Sequence, residues 1–156
     1  MKKAKILGVF LIICCFSVIA FAEENSEKPA WWNGINFEIE QKENVSRQYF
    51  YILDTWLTPA YKAQGSEADT LFKKSIIALT KLIETFKEKT GASVTCMAQF
   101  QIAEAYMKIN DKQSAKQAYQ KCLEYKRYLN TPPKDRADST ILAVTNDCAE
   151  QLGKLK

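Results

Sequence analysis

The sequence predicts an all-α fold of about five helices between residues 44 and 156. Apolar residues in this region recur at the three- and four-residue spacing that places side chains on one face of an α-helix. Turn and capping residues divide the region into segments of helical length. No segment past residue 44 shows the alternation of apolar and polar residues expected of a half-buried strand.

The first predicted helix begins at Asn44 and has one apolar face. That face carries Val45, Tyr49, Leu53, Trp56 and Ala60. Pro59 is expected to end or kink this helix near Thr58, because proline has no N–H group and clashes with the preceding turn.

A second predicted helix follows Gly65, which interrupts the helical pattern. Ser66 and Asp69 have the spacing of a capping box, in which both side chains bond free N–H groups of the first turn. The helix should run to about Lys89, before a stop at Gly91. Its apolar face carries Leu71, Phe72, Ile76, Leu79, Leu82, Ile83 and Phe86.

The remaining sequence predicts a helical hairpin and a last helix. Residues 94–109 and 112–128 are two helices joined by the short turn Asn110-Asp111, so they should pack antiparallel. Thr131 before Pro132 is typical of an N-cap with proline in the first turn. The apolar face of the last helix carries Ile141, Val144, Cys148, Leu152 and Leu155.

Residues 1–22 have the pattern of a secretory signal peptide. Three lysines precede an apolar run at residues 6–21, which ends in an A-x-A cleavage site at Ala22. The run is short for a membrane span of ~20 residues. A lipoprotein is the less favoured alternative, because Ile13 stands before Cys14 where a small residue is needed. We therefore expect a periplasmic or secreted protein that begins after Ala22.

Residues 23–43 combine a predicted flexible leader with an aromatic N-terminal flap. The leader, residues 23–30, is acidic and carries Pro29. Residues 31–37 place Trp31, Trp32 and Phe37 around an Asn-Gly turn signal. Two interpretations stand side by side: the rings cover the helical core, or they are an exposed anchor for a partner protein.

Charge and composition exclude several functions for the mature chain. Removing the three signal-peptide lysines from 22 basic residues leaves 19 against 18 acidic residues, a formal net charge of +1. This balance does not favour a nucleic-acid partner. The chain has no histidine, which excludes histidine-ligated metal sites and Ser-His-Asp or Cys-His catalysis. We predict no enzymatic activity, no metal site and no cofactor.

Three cysteines remain after export: Cys96, Cys122 and Cys148. Antiparallel packing of the hairpin would place Cys96 beside Cys122, whereas Cys148 would be offset from Cys122 by ~15 Å along its helix. We predict one disulfide between Cys96 and Cys122, with Cys148 a buried thiol. The alternative is three reduced cysteines in the core.

Residues 99–106 resemble the first helix of a tetratricopeptide-repeat (TPR) unit, with Ile102, Ala103 and Tyr106 at matching positions and Gln99 where the pattern has Trp. Ala115 and Tyr119 fall where the second TPR helix has its small and aromatic residues. Residues 72–79 are a weaker copy that matches at two positions. The resemblance covers about residues 66–131. The arrangement of this region is similar to that of TPR proteins of the bacterial periplasm.

The resemblance implies a short solenoid of antiparallel helical hairpins that binds other proteins. In TPR modules the ligand lies along the inner face of each first helix, which here maps to Met97, Phe100, Gln101, Glu104, Met107 and Lys108. A clamp for a C-terminal carboxylate is not expected, because Phe100 and Glu104 stand at two of its points. An apolar helix or extended segment suits this face better. Alternatively, these residues pack beneath the neighbouring helix.

We therefore expect a protein-protein interaction module of the bacterial cell envelope, with a protein or peptide as its partner. The first alternative is a self-associating secreted helical protein, because two repeats are fewer than the ~3 that usually stand alone. Pairing with a second copy of the chain in a homo-oligomer would supply the missing helical packing. The second alternative is a thiol redox protein, although the sequence has no Cys-x-x-Cys motif.

Overall fold

The computed structural model describes residues 45–86, 91–130 and 132–155. This described part of the chain is all-α and contains no β-strand, as the sequence predicts. The predicted signal peptide, leader and aromatic flap (1–43) lie outside the described residues, so the expectations for them stay predictions.

Five helical rods make up the described part of the chain. The first joins α1 (Val45–Ile52), a π-helical turn (Leu53–Leu57) and α2 (Thr58–Lys62). The other rods are α3 (Gly65–Thr85), α4 (Ala92–Lys108), α5 (Lys112–Leu123) with a 3-10 turn (Glu124–Tyr128), and α6 (Arg136–Lys154).

Pro59 was expected to end or kink the first helix near Thr58. The rod does not end there, so that part of the prediction was wrong. The Thr58 N–H donates to the Leu53 carbonyl, five residues back, which is the hydrogen bond of a π-helix. Pro59 therefore falls in the first turn of α2, where its missing N–H costs nothing. The rod continues to Lys62 and ends where Ala63 becomes extended.

The start of α3 also differs from the prediction. The N-cap residue is Gln64, and no side chain caps the helix, so the capping box of Ser66 and Asp69 was wrong. Gly65 reverses the chain at this point with a φ of 57°, a value that glycine adopts without strain. The helix ends at Thr85, short of the predicted end, and residues 87–90 lie outside the described part.

The turn between α4 and α5 agrees with its prediction. Asn110 has a φ of 62°, and the Asn110 and Asp111 N–H groups donate to Met107 and Tyr106 carbonyls, which together form a Schellman motif. The Asp111 carboxylate then accepts from the Ser114 N–H at 3.0 Å and caps α5. One short turn thus ends one helix and begins the next.

Helix α6 begins four residues later than Pro132, and its cap is Asp135. The Asp135 carboxylate accepts from the Asp138 N–H at 2.9 Å. The buried Asp138 carboxylate accepts in turn from the Asn130 side chain and the Lys134 N–H, both at 2.9 Å. This network joins Asn130 and Lys134 to the first turn of α6. The N-cap predicted at Thr131 was wrong, because Asp135 caps the helix, and Thr131 lies outside the described residues.

Each rod packs against the next one along the chain, and α4 also contacts α1 and α6. Helix α4 is therefore the centre of the fold. Both helices of the α4–α5 hairpin bury small residues, since Ala103 on α4 and Ala115 on α5 are both fully buried. Small side chains at a helix crossing let the two axes approach, and larger neighbours such as the buried Tyr119 fill the remaining space.

We expect Ala103→Leu or Ala115→Leu to lower the free energy of unfolding by about 1–3 kcal/mol, because the added methyl groups push close helices apart. Urea denaturation measures the change. The control is Ala149→Leu on the exposed side of α6, which should stay within about 0.5 kcal/mol of the parent protein. If both buried-alanine variants also stayed within about 0.5 kcal/mol of the parent protein, close packing of α4 against α5 at these residues would be contradicted.

Candidate functional site

The six residues predicted to bind a partner form one surface on α4, which we call the α4 surface. Met97, Phe100 and Met107 are half-buried and pack against the core. Gln101 and Glu104 are also half-buried, and Lys108 is exposed. No neighbouring helix covers the set completely, so the described structure leaves each of these side chains partly open to solvent.

A hydrogen bond between Tyr119 and Glu104 joins α5 to this surface. The Tyr119 hydroxyl donates to Oε1 of Glu104, while the tyrosine ring lies in the core and tilts against Phe100 at 6.1 Å between centroids. Burial, followed by the bond and the charge of Glu104, raises the pKa of Tyr119. The carboxylate is thus partly engaged within the protein, and it keeps Tyr119 protonated.

Tyr61 extends the α4 surface onto α2. Its ring is half exposed and meets Phe72 edge to face, with 5.2 Å between ring centroids. The Lys108 Nζ atom lies 5.4 Å from the Tyr61 ring centroid, within the range of a cation–π contact. Burial, and then the charge of Glu104, raises the pKa of Tyr61. Residues from three helices therefore meet at this end of α4.

Sequence reasoning missed Tyr61, and the reason lies in Pro59. The first helix was expected to end or kink near Thr58, and Tyr61 lies beyond that point. Because the π-helical turn carries the helix through Pro59, Tyr61 stays on a helix beside α4. No pattern in the sequence signals a π-helical turn at these residues.

Gln101 connects the α4 surface to the first rod. It shares a hydrogen bond with the buried Tyr49, which lies on α1. Burial raises the pKa of Tyr49 to about 12, and this hydrogen bond acts in the opposite direction. Polar side chains of α4 therefore fasten it to neighbours on both sides.

The disulfide joins Cys122 to Cys148, and the predicted pairing of Cys96 with Cys122 was wrong. The Cα atoms of Cys122 and Cys148 are 6.5 Å apart, and Cys96 is a buried free thiol. Burial raises the pKa of Cys96 to about 12, so the thiol stays protonated and is a poor nucleophile at neutral pH. The bridge fastens α6 to α5.

The pairing follows from helix ends that differ from the prediction. Because α6 begins at Arg136, Cys148 lies only ~18 Å along it. The 3-10 turn carries the chain ~12 Å beyond Cys122, since 3-10 helices rise ~2 Å per residue. The offset that remains between the two cysteines is ~6 Å, much smaller than the ~15 Å that the sequence predicts.

Comparisons with protein families, curated proteins and solved structures found no match to this chain. Within the described ranges, the structure holds no group of three or more metal-ligating side chains. No helix in the described part of the chain is both long enough and apolar enough to cross a membrane.

Reducing the disulfide should lower the free energy of unfolding by about 3–4 kcal/mol, because the bond closes a 26-residue separation in the unfolded chain. Urea denaturation with and without a dithiol measures the loss. Cys96→Ala is the control, since it should show the same sensitivity to the dithiol. Alkylation of the unfolded, unreduced mature protein should modify Cys96 alone, and modification of Cys148 would contradict the pairing.

The protein should lose stability as the pH rises from about 10 to about 12. Unfolded tyrosines lose their proton near pH 10, whereas buried Tyr49 keeps its proton up to about pH 12. Unfolding therefore releases protons in this window, so higher pH favours the unfolded chain. Urea denaturation across the window measures the effect. Tyr49→Phe should lose less stability over the same range, and equal losses in the two proteins would contradict the role of Tyr49.

Proposed function

We propose that the mature chain is a protein-protein interaction module of the bacterial cell envelope, built on a TPR-like scaffold. The observation that carries this proposal is the α4 surface, a half-open apolar strip on the central helix of the fold. We assign no catalytic role to the chain.

The packing of the rods supports the TPR-like scaffold. Each rod packs against its successor, and the first, third and fifth rods also contact one another in order along the chain. Helices α3 and α5 make at most marginal contact within the described residues. In repeat solenoids of this kind, one helix of each hairpin lines the inner face and meets its counterpart in the next hairpin.

The chemistry of the α4 surface favours an apolar ligand. Met97, Phe100 and Met107 offer polarizable and aromatic atoms that adapt to a partner's shape. The Glu104 carboxylate already accepts a hydrogen bond from Tyr119, and Lys108 lies over a tyrosine ring. The partner that fits this pattern is an apolar helix face or an extended apolar segment of another protein.

The thiol redox alternative receives no support from Cys96. Thiol–disulfide exchange needs a thiolate, and the pKa of this buried thiol is raised to about 12. Self-association would instead produce crosslinks between copies of this chain.

Photo-crosslinking amino acids at Met97, Met107 or Lys108 should capture a partner in cells, because these side chains lie on the α4 surface. The control position is Lys116, an exposed residue of α5. Mass spectrometry identifies the crosslinked protein. Equal capture from Lys116 would contradict the proposed surface, and crosslinks to this chain alone would favour self-association.

With the identified partner purified, Phe100→Ala combined with Met107→Ala should weaken binding about tenfold or more, because both truncations remove apolar contact area. The control is Leu142→Ala on α6, an exposed apolar residue outside the α4 surface. Both side chains of the double variant also touch the core, so circular dichroism must show that helicity is retained.

A further inference from the structure

Two neighbouring aromatic side chains of α1 point into solvent. Phe50 is 57% exposed and Tyr51 is 59% exposed. Each ring contacts an aromatic residue that is buried in the core or packs against it. The Phe50 and Tyr49 ring centroids are 5.5 Å apart, and those of Tyr51 and Trp56 are 6.1 Å apart. We call Phe50 and Tyr51 the α1 pair. Large apolar rings this exposed and this close together mark a surface that another group covers.

We propose that residues 31–37 of the same chain cover the α1 pair. This segment carries Trp31, Trp32 and Phe37, three large rings around an Asn-Gly turn signal. Aromatic rings pack well on one another in edge-to-face and offset geometries, so a segment of this composition matches the exposed pair in chemistry. The inference concerns a surface on α1 and is independent of the function proposed for α4.

The covering segment is tethered within reach of the surface. Seven residues, 38–44, separate Phe37 from Val45 at the start of α1. Extended, they span up to ~25 Å, whereas the α1 pair lies only ~8–9 Å along the helix from Val45. A tether of this length gives an effective concentration in the millimolar range. A second copy at micromolar concentration therefore competes poorly for the same rings.

Charge complementarity supports the same occupant. The exposed Arg47 lies one helical turn before the α1 pair, on the same side of α1. The tether carries Glu38, Glu40 and Glu43 against a single Lys42. An acidic tether beside Arg47 is attracted to this side of the helix, which favours a chain path over the pair.

Oxidative footprinting of the mature protein tests the proposal residue by residue. In Phe50→Ser combined with Tyr51→Ser, oxidation of Trp31 and Trp32 should rise about twofold or more, because their cover is removed. The control is Leu142→Ser, an exposed apolar residue on α6, and it should leave both rates unchanged. Unchanged tryptophan oxidation in the α1 variant would overturn the proposal.

The reciprocal variant keeps the test valid if the first one fails to fold. In Trp31→Ser combined with Trp32→Ser, oxidation of Phe50 and Tyr51 should rise, and amides of residues 45–52 should exchange about threefold faster or more. Protection of the pair that disappears on dilution would identify a second copy as the occupant and overturn the proposal. Protection that appears only when another protein is added would overturn it as well.

Discussion

The close packing of α4 against its neighbours determines the arrangement of the other helices. Ala98, Ala103 and Ala105 on α4 are fully buried, and the helices that pack on α4 also bury small residues, Ala115 on α5 and Ala78 on α3. A helix whose contact positions are small lets several backbones approach it at once, and the dense interior then fixes their relative positions. The first and last rods both contact α4, so a change in the distance between α4 and one neighbour would also displace the other rods.

The C-terminal helix is held in a different way. Helix α6 buries few apolar side chains, of which Ile141 and Cys148 are the most enclosed. Two further interactions compensate: the disulfide to Cys122, and the Asp138 carboxylate that ties the preceding connection to the first turn. A buried carboxylate is costly to desolvate unless it accepts hydrogen bonds, and here its Oδ2 atom accepts from two donors, the Asn130 side chain and the Lys134 N–H. The position of α6 therefore depends on a covalent bond and a polar network as well as on hydrophobic contacts.

The sequence predicts the α4–α5 hairpin well because its local signals agree with its packing. Asn110 tolerates a positive φ and Asp111 caps α5, so the turn is determined by adjacent residues. The α4 surface was predictable for the same reason, since its members share one helix face. The π-helical turn, the start of α6 and the partner of Cys122 were not predictable. Each depends on how one segment meets another, as when Asp138 reaches back to Asn130, and helical periodicity carries no information about such contacts.

The polar groups of the α4 surface differ in how easily a ligand displaces them. The Tyr119–Glu104 hydrogen bond involves a buried ring, and breaking it would leave a hydroxyl without its partner in the core. The Lys108 contact with Tyr61 is at an exposed site, where a cation–π interaction contributes only about 0.5–1 kcal/mol. If the α4 surface binds a partner as proposed, that partner would displace Lys108 and uncover the half-exposed Tyr61 ring while Glu104 stays in place. The apolar strip would then extend from α4 onto α2, with its length set by one lysine side chain.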